Sequence, residues 1–210
     1  MSGHGHSCQG GCSHEAAPAE DASMVDLFSV IKVDNVEVYN ETTNGSGRKV
    51  FKKVEDCLNM ENFVESDYGP ELTFDIPFSA MVEVHSIKLV GDLDETHPAV
   101  IQVFDQHTNP TDLPLDKALY TKDLMQDDKA EIVYNLPVKA RKTAPRIIIH
   151  FPSNFSRSEE GITKIYYLGL QGMNKGEIPR QQVVITNYES TAQLKDHKTD
   201  TMNQIGRQIF

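Results

Sequence analysis

The 210-residue sequence has no tryptophan and only three cysteines, and it sets 20 lysines and arginines against 31 aspartates and glutamates. Each shortage excludes something. Three cysteines, with Cys8 and Cys12 near the start and Cys57 alone, do not make the disulfide framework of a small secreted domain, so a reducing compartment is expected. No Cys-x-x-Cys pair occurs, which removes thioredoxin-type redox chemistry. A net charge of -11 repels phosphate backbones and anionic lipid, so neither nucleic acid nor a membrane surface is an expected partner. No apolar run approaches the roughly eighteen residues that suggest a bilayer span, and the start lacks the apolar stretch of a secretory signal. A soluble cytoplasmic protein is expected, with the nucleus also open to it.

Catalytic signatures are missing as well. The sequence has no Gly-x-Ser-x-Gly elbow, no Walker-type phosphate loop and no His-Glu-x-x-His helix, so it is read as a non-enzyme. Asn44-Gly45-Ser46-Gly47-Arg48-Lys49 has the look of a phosphate loop but lacks the third glycine and the following helix. It is expected to be a flexible loop between strands.

What is present is two-residue alternation. In Glu71-Leu72-Thr73-Phe74-Asp75-Ile76-Pro77-Phe78 the large apolar groups share one parity, as a half-buried strand requires. Pro77 has no N–H to donate and is read as an edge or a strand end. Val82 and Val84 are followed by Ile87 and Leu89 on the opposite parity, which demands a bulge if the strand is continuous. Further strands are expected at Val36–Tyr39, Val100–Phe104, Ala130–Tyr134, Arg146–Phe151, Ile162–Leu170 and Gln182–Thr186, with another over Asp26–Val30. Helical spacing is confined to a turn or two over Asp116–Leu124. Short strands separated by Gly, Pro, Asn and Asp predict an all-β fold, a β-sandwich closed as a jelly roll. Leu72, Phe74, Ile76, Ile148, Tyr167, Leu168 and Val184 are its expected core. The boundaries read as a disordered Gly/His-rich tail at 1–22, one domain at 23–190 and a mostly polar C-terminal tail at 191–210.

Several candidate sites compete with plain structural readings. Gly91-Asp92-Leu93-Asp94-Glu95-Thr96-His97 gathers oxygen and nitrogen donors suited to a metal or to sugar hydroxyls, or else is a solvated acidic loop. Lys139-Ala140-Arg141-Lys142 with Arg146 is a basic cluster that can meet an acidic partner, or a solvated face. Cys57 and His85 read as packing residues. In the first tail, loss of Met1 would place His4 third behind a free amine, a four-nitrogen set for Cu(II) or Ni(II). His6, Cys8, Cys12 and His14 can instead supply a tetrahedral zinc set. In the second tail, Ile205, Ile209 and Phe210 end a hydrophilic stretch and are expected to dock, on the sandwich or on a partner.

Taken together, Phe63-Val64-Glu65-Ser66-Asp67, the strand from Glu71 to Phe78, Thr96-His97-Pro98, Thr163-Lys164-Ile165-Tyr166-Tyr167-Leu168-Gly169-Leu170-Gln171-Gly172 and Val183-Val184-Ile185-Thr186-Asn187-Tyr188-Glu189 resemble the PITH domain. That is the C-terminal domain of a thioredoxin-like protein associated with the proteasome. The Gly/His-rich start further resembles stand-alone PITH-domain proteins, which lack the thioredoxin module. The resemblance implies a galactose-binding-like jelly roll and a protein-binding module or adaptor associated with the proteasome or protein quality control; a monomer without a cofactor is expected. Two alternatives stay open, metal handling through the N-terminal tail and binding of a small ligand or carbohydrate by the jelly roll.

Overall fold

The computed structural model describes residues 24–179. The alternation from Leu72 onward becomes one strand of 19 residues, β4 (Leu72–Val90). Around it lie β1 (Val25–Asp26), β2 (Glu37–Tyr39), β3 (Val64–Glu65), β5 (Val100–Phe104), β6 (Tyr120–Asp123), β7 (Tyr134–Asn135), β8 (Thr143–Phe151), β9 (Lys164–Ile165) and β10 (Tyr167–Gly176). Among the described residues there is no α-helix, and no helix long and apolar enough to cross a membrane.

The N-terminal half of β4 runs between β2 and β8, and β8 leads on to β5 and then β6. Its C-terminal half runs between β10 and β7, with β1 beyond β10. All these pairings are antiparallel, and the result is a curled sheet with the apolar core inside, as the expected jelly roll requires. Phe74 sits in that core edge-on to both Phe51 and Phe151, with ring centroids 6.0 and 5.9 Å away. Ile87, Leu89, Leu168 and Leu170 from the C-terminal side belong to the same cluster.

The parity change in β4 occurs at His85. Gln171 of β10 pairs with Ser86 and Gly172 with Val84, leaving His85 as the extra residue of a bulge. A side chain at Gly172 would bring its Cβ within 2.0 Å of the Glu83 carbonyl oxygen, so the bulge closes only over glycine. Pro77 does not end the strand, one of its two expected readings, but on the side away from β8 it lies beyond the last β2 pair, Glu37–Asp75, where the isolated bridge Ile31–Phe78 follows. Its carbonyl turns to that side and accepts the Lys32 N–H at 2.9 Å, and in the ladder to β8 the pair Pro77–Arg146 is followed by Val82–Ala144.

Leu72, Phe74, Ile76, Ile148, Tyr167 and Leu168 are all at most 1% exposed. Two of them lie outside the main cluster. Ile148 has the opposite parity to Ile147, Ile149 and Phe151, which face the core, and Tyr167 packs with Val90, Ala130 and Tyr166. Three weaker expectations are corrected. Leu27–Val30 is a 3-10 turn capped by the Asp26 carboxylate. Ala130 has φ 57, which no strand accommodates, so pairing begins only at Tyr134. Leu115–Lys117 forms one 3-10 turn, and the segment after it is β6. Val184, the strand at Gln182–Thr186 and both tail boundaries lie outside the described residues.

Candidate functional site

The acidic loop is committed to its own architecture. Asp94 accepts the Thr96 hydroxyl at 2.6 Å and the Thr96 N–H at 2.8 Å, bonds that hold its carboxyl below the usual range. Asp92 accepts the Tyr166 hydroxyl at 2.9 Å. His97 is fully buried, and both ring nitrogens are engaged. Its Nδ1 lies 2.8 Å from the Pro98 carbonyl, which can only accept, so Nδ1 carries the proton. Nε2 then accepts the Asp127 N–H at 3.2 Å. Burial pushes the His97 pKa down, so the ring is neutral and pins three loops rather than offering itself to a metal. A Cβ at Gly91 would fall 2.6 Å from its Cδ2. Among the described residues no group of three or more His, Cys, Asp or Glu is placed to hold a metal.

The loop resembling a phosphate cradle holds an anion of its own. The Glu41 carboxylate accepts the N–H groups of Gly45 and Gly47 at 2.5 and 2.7 Å and the Ser46 hydroxyl at 3.1 Å. The basic cluster is also largely neutralised from within. Arg146 forks onto both Asp75 oxygens at 2.5 and 2.6 Å, Lys142 pairs with Asp105 at 2.6 Å, and Arg141 donates to the Leu136 carbonyl. His85 lies 3.0 Å from Glu83, and the half-buried Cys57 packs against the Tyr166 and Tyr167 cluster. On the outer face of the sheet, Thr73 Oγ1 sits 2.9 Å from Nδ1 of the buried His150. Burial lowers that imidazole to about 4, which leaves it neutral and too weak to activate a hydroxyl near neutral pH.

A cleft of about 540 Å³ lies open where the Ala99, Asp123 and Asn154 segments meet. Pro70, Leu124, Pro152 and Phe155 give it apolar walls, and Asp123, Arg157 and Glu159 bring charge to it. Those three charged side chains are exposed and have no ion-pair partner among the described residues. Arg157 holds φ 54, a left-handed conformation that costs a non-glycine residue energy. Asn154 shapes the turn: its carboxamide oxygen accepts the Ser156 hydroxyl at 2.6 Å, and its nitrogen donates to the Ile162 carbonyl at 2.9 Å. Three segments of the family resemblance interlock beside it. Ser66 donates its N–H to the Thr163 carbonyl at 3.0 Å and accepts the Thr163 N–H through its hydroxyl at 2.9 Å, while Lys164 donates to the Thr96 carbonyl at 2.9 Å. The Thr163 hydroxyl donates to the carbonyl of Pro70, in the cleft wall.

A family profile for the PITH domain matches residues 17–192. The chain belongs to the PITH domain family. A PITH domain-containing protein of Drosophila melanogaster is 38% identical over 215 residues, covering 98% of this chain and 99% of that protein. One from Caenorhabditis elegans is 37% identical with full coverage of both, and human PITH domain-containing protein 1 is 31% identical over 93% of each. Among solved structures, the CBM32-1 and CBM32-2 domains of Clostridium perfringens ZmpB in complex with GalNAc align with TM-score 0.51 at 11% identity. The match covers 73% of this chain and 37% of that one. At that identity the likeness shows the fold alone, a jelly roll of the galactose-binding-like kind.

The cleft of this PITH domain was not foreseen from the sequence. Its walls come from four separate segments around Pro70, Ala99, Asp123 and Asn154, and no spacing links them. The tail candidates His4, His6, Cys8, Cys12 and His14, and Ile205, Ile209 and Phe210, lie outside the described residues.

Proposed function

We propose that this PITH domain is a non-enzymatic protein-binding module that acts as an adaptor on the proteasome or another protein-quality-control assembly. The observation that carries this reading is membership of the PITH family over residues 17–192, joined to the sequence resemblance to the C-terminal domain of a proteasome-associated thioredoxin-like protein. The chemistry is compatible with it. Buried His97 is spent on loop closure and buried His150 is neutral, while the cleft combines apolar walls with charged groups unpaired among the described residues. A net charge of -11 favours a protein partner over nucleic acid or an anionic membrane. The expected working form is a cytoplasmic monomer.

Co-sedimentation of the purified full chain with proteasomes at physiological salt tests the reading. Association that persists when ionic strength is doubled supports it, because specific interfaces combine buried apolar contact with charge. Absence of the chain from the proteasome fractions, or its loss on that mild increase in salt, refutes it.

A further inference from the structure

β6 is the last strand on its side of the sheet, and among the described residues it pairs only with β5. The Leu124 N–H donates to the Ala99 carbonyl at 2.7 Å, and Lys122 lies opposite Ile101 in the same register. Antiparallel pairing turns alternate residues' backbone groups toward the partner strand. Lys122 and Leu124 therefore face β5 with their N–H and C=O groups, and Thr121 and Asp123 turn theirs to the open edge. Thr121, Lys122 and Asp123 are all exposed. Asp123 and Leu124 also line the 540 Å³ cleft, so the open edge leads directly into it.

We infer that the β6 edge and the adjoining cleft take an extended segment of a partner protein, added as an antiparallel strand. Such a strand sets a basic residue opposite Asp123, an acidic residue opposite Lys122, and an apolar side chain into the cleft. Strand addition supplies main-chain hydrogen bonds, and side-chain pockets supply the selection. The occupant follows from charge. Neither Lys122 nor Asp123 has a salt-bridge partner among the described residues, and each is complemented only by the opposite sign across the new pairing. A second copy of β6 is a poor fit. Of the antiparallel registers that pair outward-facing residues, one sets Lys122 against Lys122, another sets Asp123 against Asp123, and the third sets Lys122 against Tyr120 and leaves both charges without an opposite sign across the pairing. The inference rests on the protein-binding reading above and adds the surface and the chemistry of the partner.

The test titrates the full chain, ¹⁵N-labelled, with the blocked peptide Leu-Val-Lys-Glu-Thr-Val and with its charge-swapped form Leu-Val-Glu-Lys-Thr-Val. The first is expected to bind with Kd below about 1 mM and to slow amide exchange at Thr121 and Asp123 about tenfold, leaving Lys122 unchanged. The swapped peptide should bind about tenfold more weakly, because both cross-strand pairs become repulsive. Thr121→Pro removes an outward N–H while sparing the ladder to β5, so melting should hold and peptide binding should be lost. If that variant unfolds, the double variant Lys122→Asp with Asp123→Lys serves instead and should reverse the order of the two peptides, because both cross-strand pairs change sign. No saturable binding, equal binding by a folded Thr121→Pro, or an unreversed order in the double charge-swap variant overturns the inference. A chain that still co-sediments with proteasomes in that case loses only this surface. One that binds the peptide as expected but not the proteasome loses only the proteasome reading.

Discussion

Replacing Phe74 by alanine tests the strand assignment at the point where the core is densest. Phe74 is fully buried and edge-on to two other rings, Phe51 and Phe151. Deleting a buried phenylalanine side chain costs about 3–5 kcal/mol. Each aromatic pair contributes about 0.5–1.5 kcal/mol beyond area, and part of that is already counted in the deletion. A loss of about 4 kcal/mol is therefore expected, which a domain with about 5–15 kcal/mol of stability survives. At about 2–4 °C per kcal/mol for a chain of this size, the melting temperature should fall by about 8–16 °C. Urea unfolding at pH 7 measures the loss, with the slope unchanged if the unfolded state is unaltered. Val138→Ala, at a site 81% exposed, is the control and should shift stability by no more than about 0.5 kcal/mol. Phe51→Ala combined with Phe74→Ala should cost less than the sum of the two single changes, by about 0.5–1.5 kcal/mol. A loss below about 1 kcal/mol for Phe74→Ala would refute the placement of this face of β4 in the core.

Gly172→Ala should lower stability by about 1–3 kcal/mol in the same urea assay, because its Cβ meets backbone that cannot yield cheaply. Arg146→Ala strands the largely buried Asp75 carboxylate and should cost about 1–3 kcal/mol. Lys142→Ala breaks an exposed pair and should cost under about 1 kcal/mol. His150 titrates at about 4 in the folded state against 6.5 for the ordinary group, so between those values the unfolded chain binds the extra proton. Its contribution is complete above pH 6.5 and is lost as pH falls toward 4, by roughly 3 kcal/mol in all. His150→Leu should flatten that limb of the stability profile, and an unchanged slope would contradict a neutral, buried ring.

The central strand was legible because burial on one face writes a period of two into the residues. The same pattern located the bulge, since Val84 and Ile87 cannot both face inward along a regular strand. Weaker elements failed for local reasons. Asp26 offers a side-chain acceptor that turns Leu27–Val30 into a capped 3-10 turn, and the left-handed Ala130 breaks an apolar stretch that composition alone reads as a strand. Pro77 stays inside the strand because its missing N–H falls on the side of β4 that carries only an isolated bridge there. The cleft was illegible altogether. His97 shows why: it holds Asp127 and Phe155 in place through backbone contacts across long stretches of sequence, and such contacts leave no periodic trace.

The sharing of β4 between both halves of the sheet also constrains how the chain comes off the ribosome. Its first half waits for β8, which ends at Phe151, and its second half waits for β10, which ends at Gly176. Until those residues emerge, a 19-residue segment rich in Leu, Phe, Ile and Val has only the short strands β2 and, once residue 135 is made, β7 to pair with. Stepwise consolidation during synthesis is therefore closed to this sheet. Its assembly is a late event dominated by distant contacts, a slow kind of folding that leaves strand edges exposed meanwhile. A nascent chain halted at residue 160 should leave β4 sensitive to protease, while one extended past 176 and clear of the exit tunnel should not.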